Sequence, residues 1–342
     1  MAQHGAPAPP APPVVGRPSH ERGARSRAAS MARGSAPYQL LRASRPKDWV
    51  KNLFVFGALA FARDGSGDPL WTHVDVLLAV AAAVLLFCAA ASAVYLLNDY
   101  VDAEQDRLHP KKRLRPIASG ALAPGLALAT AAGLLVLLVP VALAIDARDG
   151  FSWGGVDLLG LVLLYVVVHG FAYSYRLKHV VILDVFTIAS GFVLRVVAGG
   201  AAIDVPISPW MLACTGLLAL FLALAKRRAE LVTLQAGAGS HRRILDEYTL
   251  PLLDQFLSIA TAATLIAYAL FTYTSETLPR EPFPTMMATV PIVAYALFRY
   301  LFLVHRDGRG GNPAELLLSD RPLAAAVGLW AIVSLAVSLQ PR

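Results

Sequence analysis

Long apolar runs recur along almost the whole chain, each about twenty residues long and unbroken by the polar alternation of a surface strand. In hydrocarbon, every backbone N–H and C=O must find its partner within the protein, so such runs cross a membrane as helices or as strands of a closed barrel. Continuous hydrophobicity selects helices. Hydrophobic residues make up 56% of the sequence and charged ones only 15%, the balance of a polytopic membrane protein. The expected fold class is therefore all-α, a polytopic membrane bundle of about nine transmembrane helices. The spans read as 45–63, 74–97, 122–145, 155–173, 180–203, 209–225, 252–275, 284–304 and 322–339. Pro46, Pro124, Pro209 and Pro322 stand at or near first turns, where a missing N–H is harmless. The first span is the weakest: its apolar part, Leu53 to Ala62, is short and follows Lys47, Asp48 and Lys51, which reads as partly interfacial.

Residues 1–36 are rich in Ala, Pro, Gly, Ser and Arg without apolar periodicity, and read as a disordered tail ahead of a nine-helix transmembrane domain, 37–342. Cations orient the bundle. The N-terminal segment and the loops after even-numbered spans hold 24 Lys and Arg residues, against three (Arg63, Arg148 and Arg280) in the loops after odd-numbered spans. By the positive-inside rule, the N-terminus lies in the cytoplasm and the C-terminus outside, in a multi-pass protein of the cell inner (plasma) membrane. The net charge of +7 then follows from topology and contact with the lipid bilayer, and no nucleic acid partner is implied. Cys88 and Cys214 fall within spans, without metal or redox spacing, and read as packing residues.

The chemistry-bearing segment follows the second span. Asn98-Asp-Tyr-Val-Asp-Ala-Glu-Gln-Asp106 spaces Asp99, Asp102 and Asp106 by three and four, which on a helix shares one face. Hard oxygens at a membrane-proximal helix end suit Mg²⁺, which completes its shell with water and substrate phosphates, so the implied substrate is a diphosphate. The plain alternative is a solvated acidic helix end. Against it stand five cations directly downstream, Arg107, Lys111, Lys112, Arg113 and Arg115, able to grip a phosphate opposite the metal.

Two further clusters fall on the same side. After the fourth span come Tyr175, Arg176 and Lys178, with Asp184 opening the fifth; Lys178 and Asp184 read either as a boundary ion pair or as a second half-site that orients substrate. Lys226, Arg227 and Arg228 end the sixth span and read either as a topology anchor or as a second anion pocket. Too few neighbouring acids to neutralise them favour the pocket, with Arg227 or Arg228 helped by Lys178. Arg195, deep in the fifth span, is assigned to structural support. The histidines His109, His169 and His241 are too dispersed for a zinc site.

The Asn98-Asp99-x-x-Asp102-x-x-x-Asp106 motif after the second of nine spans, with the Arg115-Pro-Ile-x-x-Gly120 tail and a polar motif after the fourth, resembles the UbiA-type intramembrane prenyltransferase superfamily over about residues 40–340. Typical aromatic prenyltransferases of that superfamily carry two acids in the second motif, where this chain has Lys178 and Asp184. The stretches Arg45–Asn52, His109–Arg113, Leu183–Phe186, Gly191–Arg195 and Lys226–Leu231 are similar to one branch, the decaprenyl-phosphate phosphoribosyltransferases. That resemblance implies transfer of 5-phosphoribose from phosphoribosyl diphosphate to a polyprenyl phosphate. It also implies Mg²⁺ and diphosphate on Asp99, Asp102 and Asp106 with Asn98, the ribose 5-phosphate on Arg227 or Arg228, and the lipid phosphate near Lys47 and Asn52. The competing expectations are a prenyltransferase using an allylic diphosphate, and a transporter; a homo-oligomer is compatible with all three.

Overall fold

The computed structural model describes residues 34–109, 112–148, 157–235, 243–276, 278–279, 283–307 and 310–340. Most of the expected tail, Lys111 and His241 lie outside the described residues. The described chain is almost wholly helical: α1 (Ala36–Ala43), a 3₁₀ stretch (Pro46–Gly57, then Leu59–Phe61), α2 (Val74–Val101), α3 (Ala103–Leu108), α4 (Pro124–Asp146), α5 (Leu158–Tyr175, with a π-helical middle at Val166–Ala172), α6 (Leu183–Ala201), α7 (Pro209–Gln235), α8 (Leu250–Thr274), α9 (Val290–Asp307), α10 (Pro313–Ser319) and α11 (Arg321–Ser338). Eight of these are long and apolar enough to cross a membrane, among the described residues.

The ninth crossing is the 3₁₀ stretch. Its start meets the end of α2, where Arg45 bonds Asp99, and its finish meets the far ends of α8 and α11, where Phe61 packs on Phe271 and Arg63 donates to the carbonyls of Ser338 and Gln340. At about 2.0 Å per residue, Pro46 to Phe61 reaches roughly 30 Å, the thickness of a bilayer core, with fewer residues than an α-helix would need. Side-chain register shows the same stretch. Trp49 bonds Ser92 and Asn52 bonds Cys88, three residues of this segment against four of α2. Likewise Asn52 meets Arg195 while the Val55 carbonyl meets Gly199, three against four of α6. Three steps of about 2.0 Å match four of 1.5 Å. Gly199 permits the approach: a Cβ there would lie 1.9 Å from the Val55 oxygen.

Arg195 is buried as support for this contact. It donates to Asn52 (2.8 Å), the Gly191 carbonyl (2.6 Å) and the Tyr165 hydroxyl (3.0 Å), and its guanidinium lies over the Tyr165 ring. An intramembrane arginine is tolerated when so enclosed. Asn52 is the exception to expectation. It is buried between Cys88 and Arg195 at mid-crossing rather than at the membrane surface, so it is withdrawn as a ligand of the lipid phosphate.

Two apolar cores flank the bundle's middle. One joins the first crossing to α2, α4 and α5 through Val55, Val80, Phe87, Leu138 and Val162; the other joins α7, α8 and α9 through Phe221, Leu253, Leu257, Leu303 and Val304. α6 touches both, through Ala198 in the first and Val185 in the second. The polar segments 98–109, 112–123, 173–183 and 243–249 gather at one end of the bundle, as alternating crossings require.

Candidate active site

The acid motif begins on α2 and outlasts it. The helix ends at Val101, Asp102 sits in the break with φ −86 and ψ 0, and α3 resumes at Ala103. The three carboxylates are therefore divided rather than set on one continuous face. Asp99 and Asp106, both buried, share a single guanidinium nitrogen of Arg115, at 3.0 and 2.6 Å. Asp102, more open, takes the Lys178 ammonium at 3.0 and 3.3 Å. Asn98 accepts a hydrogen bond from Ser174, which ties the motif to the end of α5.

Arg45 completes the cluster and was not singled out from sequence. Its guanidinium bonds Asp99 and lies 4.7 Å from the Tyr95 ring centre. Its backbone is left-handed, φ 52 and ψ 62, immediately before Pro46, where steric crowding already restricts the residue. The one sequence signal was its place at the head of the Arg45–Asn52 stretch. His109 accepts from the Lys112 amide, and burial, then the Lys112 charge beside it, hold its pKa below the ordinary value. It adds no cation at neutral pH.

The residues fit a divalent cation in chemistry and in placement. Asp99 and Asp106 lie close enough that one positively charged nitrogen contacts both, and Asn98 and Asp102 offer further hard oxygens nearby. No group of three His, Cys, Asp or Glu converges into a full metal cage among the described residues. Mg²⁺ does not need one, since it takes one or two carboxylates and leaves the rest to water and phosphate.

The other expected cations divide. Arg113, Arg176 and Lys47 are exposed at this end of the bundle, with Tyr175 beside Arg176, and Lys226 is exposed within α7, nine residues before its end. Arg227 is a correction. It is 1% exposed, donates to Asp184 at 2.6 Å and pairs with Glu230, so it holds α7 to α6 instead of awaiting a phosphate. Arg228 is another: it bonds Asp254 at 2.6 Å and the Val304 carbonyl, joining α7 to α8 and α9. The acids that pair with these two arginines are Glu230, three residues on from Arg227, and Asp184 and Asp254 on other helices. Asp184, fully buried between Arg227 and the Tyr248 hydroxyl (2.8 Å), faces the protein interior and not the acid motif. Lys178 is paired with Asp102 and not with Asp184.

The sequence matches the UbiA prenyltransferase family over residues 52–318. The chain belongs to that family. Among UbiA relatives, a decaprenyl-phosphate phosphoribosyltransferase of Mycolicibacterium smegmatis is 34% identical over 297 residues, covering 85% of this chain and 89% of that protein. One from Corynebacterium glutamicum is 33% identical over 303 residues, 88% of this chain and 87% of that protein. A UbiA homologue from Archaeoglobus fulgidus bound to GPP and Mg²⁺ superposes with a TM-score of 0.61 at 19% identity, over 88% of this chain and 99% of that one. The UbiA architecture is thus shared where sequence similarity is low, and the expected transferase fold, multi-pass and helical, is the one observed.

Proposed function

We propose that the protein transfers 5-phosphoribose from phosphoribosyl diphosphate to a polyprenyl phosphate and releases diphosphate. The observation that carries this reading is the makeup of the acid motif's surroundings: carboxylates that could share a metal, ringed by Arg45, Arg115 and Lys178, in a chain whose close relatives bear the phosphoribosyltransferase name. The donor has two anionic ends, and a site with more cations than a metal–diphosphate pair requires is suited to both.

In the reaction, the bond from ribose C1 to the diphosphate oxygen breaks and one from C1 to the lipid phosphate oxygen forms. The leaving diphosphate carries away the electron pair. Mg²⁺ bound at Asp99 and Asp106, with Asp102 and Asn98, would neutralise that developing charge. Arg115, Arg45 and Lys178, beside those carboxylates, are placed to take the substrate's phosphates. The lipid phosphate is already anionic at neutral pH and needs no strong general base. Lys47, exposed at the head of the first crossing, and Arg113 are suited to hold it while the chain remains in lipid. A cytosolic donor requires this end of the bundle to face the cytoplasm of a plasma-membrane protein, as the cation count implies.

Membranes bearing the protein, given radiolabelled phosphoribosyl diphosphate, Mg²⁺ and polyprenyl phosphate, should yield label in an acid-labile lipid. Label absent there, but present when an allylic diphosphate and an aromatic acceptor are supplied, would replace this reading with prenyl transfer.

A further inference from the structure

Ile182, directly before α6, has φ 71 and ψ −47. The Leu183 N–H donates to the Val181 carbonyl across it at 2.8 Å, which makes a three-residue γ-turn of the rare, strained sign. For a β-branched residue this conformation is a genuine outlier, and such backbone persists only where its surroundings over-determine it.

The turn joins two functional pieces. Upstream, the one-turn 3₁₀ helix Leu177–His179 carries Lys178 against Asp102. Downstream, α6 begins with Asp184, locked to Arg227. Relaxing Ile182 into an ordinary backbone region would swing the Lys178 segment relative to α6.

One side chain bonds the strained unit from outside. The Ile182 N–H donates to the Tyr248 hydroxyl oxygen at 2.8 Å, and the same hydroxyl donates to Asp184 at 2.8 Å. Tyr248 comes from the segment between α7 and α8, is buried beside Ile244 and Leu245, and sits 66 residues away from Ile182 in sequence. Burial pushes its phenol up to about 12, so it stays a neutral donor at any working pH. Its hydroxyl thus satisfies an amide and a carboxylate that both belong to the start of α6.

We propose that Tyr248 is a positioning residue: its hydroxyl latches the turn at Ile182 and thereby holds Lys178 at the acid motif, where, on the phosphoribosyl reading above, Lys178 receives the donor's phosphate. Tyr248→Phe removes only the oxygen. It should raise KM for phosphoribosyl diphosphate roughly tenfold, the effect of one lost hydrogen bond, and leave KM for polyprenyl phosphate within about twofold. In membranes without substrate, acylation of Lys178 by an amine-reactive ester, read by mass spectrometry, should rise several-fold as its pairing with Asp102 loosens. Glycine adopts positive φ without strain, so Tyr248→Phe combined with Ile182→Gly should return both readouts toward the wild type.

Unchanged Lys178 labelling in Tyr248→Phe overturns the latch. So does a defect that Ile182→Gly fails to recover, because Tyr248 would then serve only the packing of its own segment. If Tyr248→Phe does not accumulate, the double variant decides: accumulation with wild-type labelling supports the latch, and its failure to accumulate overturns it. Labelling needs no turnover, so the latch is tested even where wild-type membranes transfer no phosphoribose, the outcome that would sink the functional reading alone.

Discussion

Two clusters of acids and cations lie at the same end of this bundle, built from the same residue types, and they differ in whether water reaches them. Around Asp99 and Asp102 the cations remain partly open, with Arg45 30% and Lys178 17% exposed, so either can leave its carboxylate for an incoming phosphate. Around Asp184, Arg227 is 1% exposed and the carboxylate is fully buried. A sealed pair has no exchange partner, and removing one member strands a charge. Burial, not residue identity, separates the proposed binding cluster from the structural one here.

That contrast can be broken in several ways. The largest effect should come from metal: EDTA should take transfer to background and Mg²⁺ should restore it, while full activity in EDTA would leave the open cluster without its proposed purpose. Next is the sealed pair. Arg227→Ala should destabilise the protein by about 3–5 kcal/mol, seen as loss of folded protein in detergent. A well-folded Arg227→Ala protein with weakened donor binding would instead place Arg227 among the ligands.

Asp99→Asn and Asp102→Asn should each lower turnover at least about a hundredfold, about 2.7 kcal/mol, with little change in thermal unfolding. Near-wild-type turnover in both would move the metal elsewhere. The smallest effect is expected at Arg228, whose partner Asp254 is partly exposed and also meets His305. Arg228→Ala should cost about 1 kcal/mol of stability and change donor KM by no more than about twofold, and a tenfold rise in KM would restore the anion pocket read from sequence.

Much of the molecule was legible before any coordinates. Crossings follow from apolar length, which depends on the bilayer more than on packing, and the spans from α2 to α11 agree with the sequence reading to within several residues except where α2 and α7 run on past the apolar stretch. Arg195 was legible too, because an intramembrane charge has few tolerable fates. What stayed hidden was pairing. Nothing near Arg228 in sequence announces Asp254, 26 residues away, nor does anything near Asp184 announce Tyr248, 64 away. Asn52 shows the same limit: three-residue steps in a 3₁₀ helix carried it to the depth of Cys88, whereas its sequence neighbours Lys47 and Lys51 suggested the surface. The left-handed backbones at Arg45 and Ile182 had no signal, since neither residue type favours that region.

The clasp made by Arg63 bears on how the protein is born. This residue reaches the carbonyls of Ser338 and Gln340 across 275 and 277 positions, so the 3₁₀ crossing is held by the end of α11. Contacts of such separation form late, because the intervening chain must be in place before they can close. The segment that carries Arg45 to Asp99 is therefore left without this outer fastening until α11 has been made and inserted.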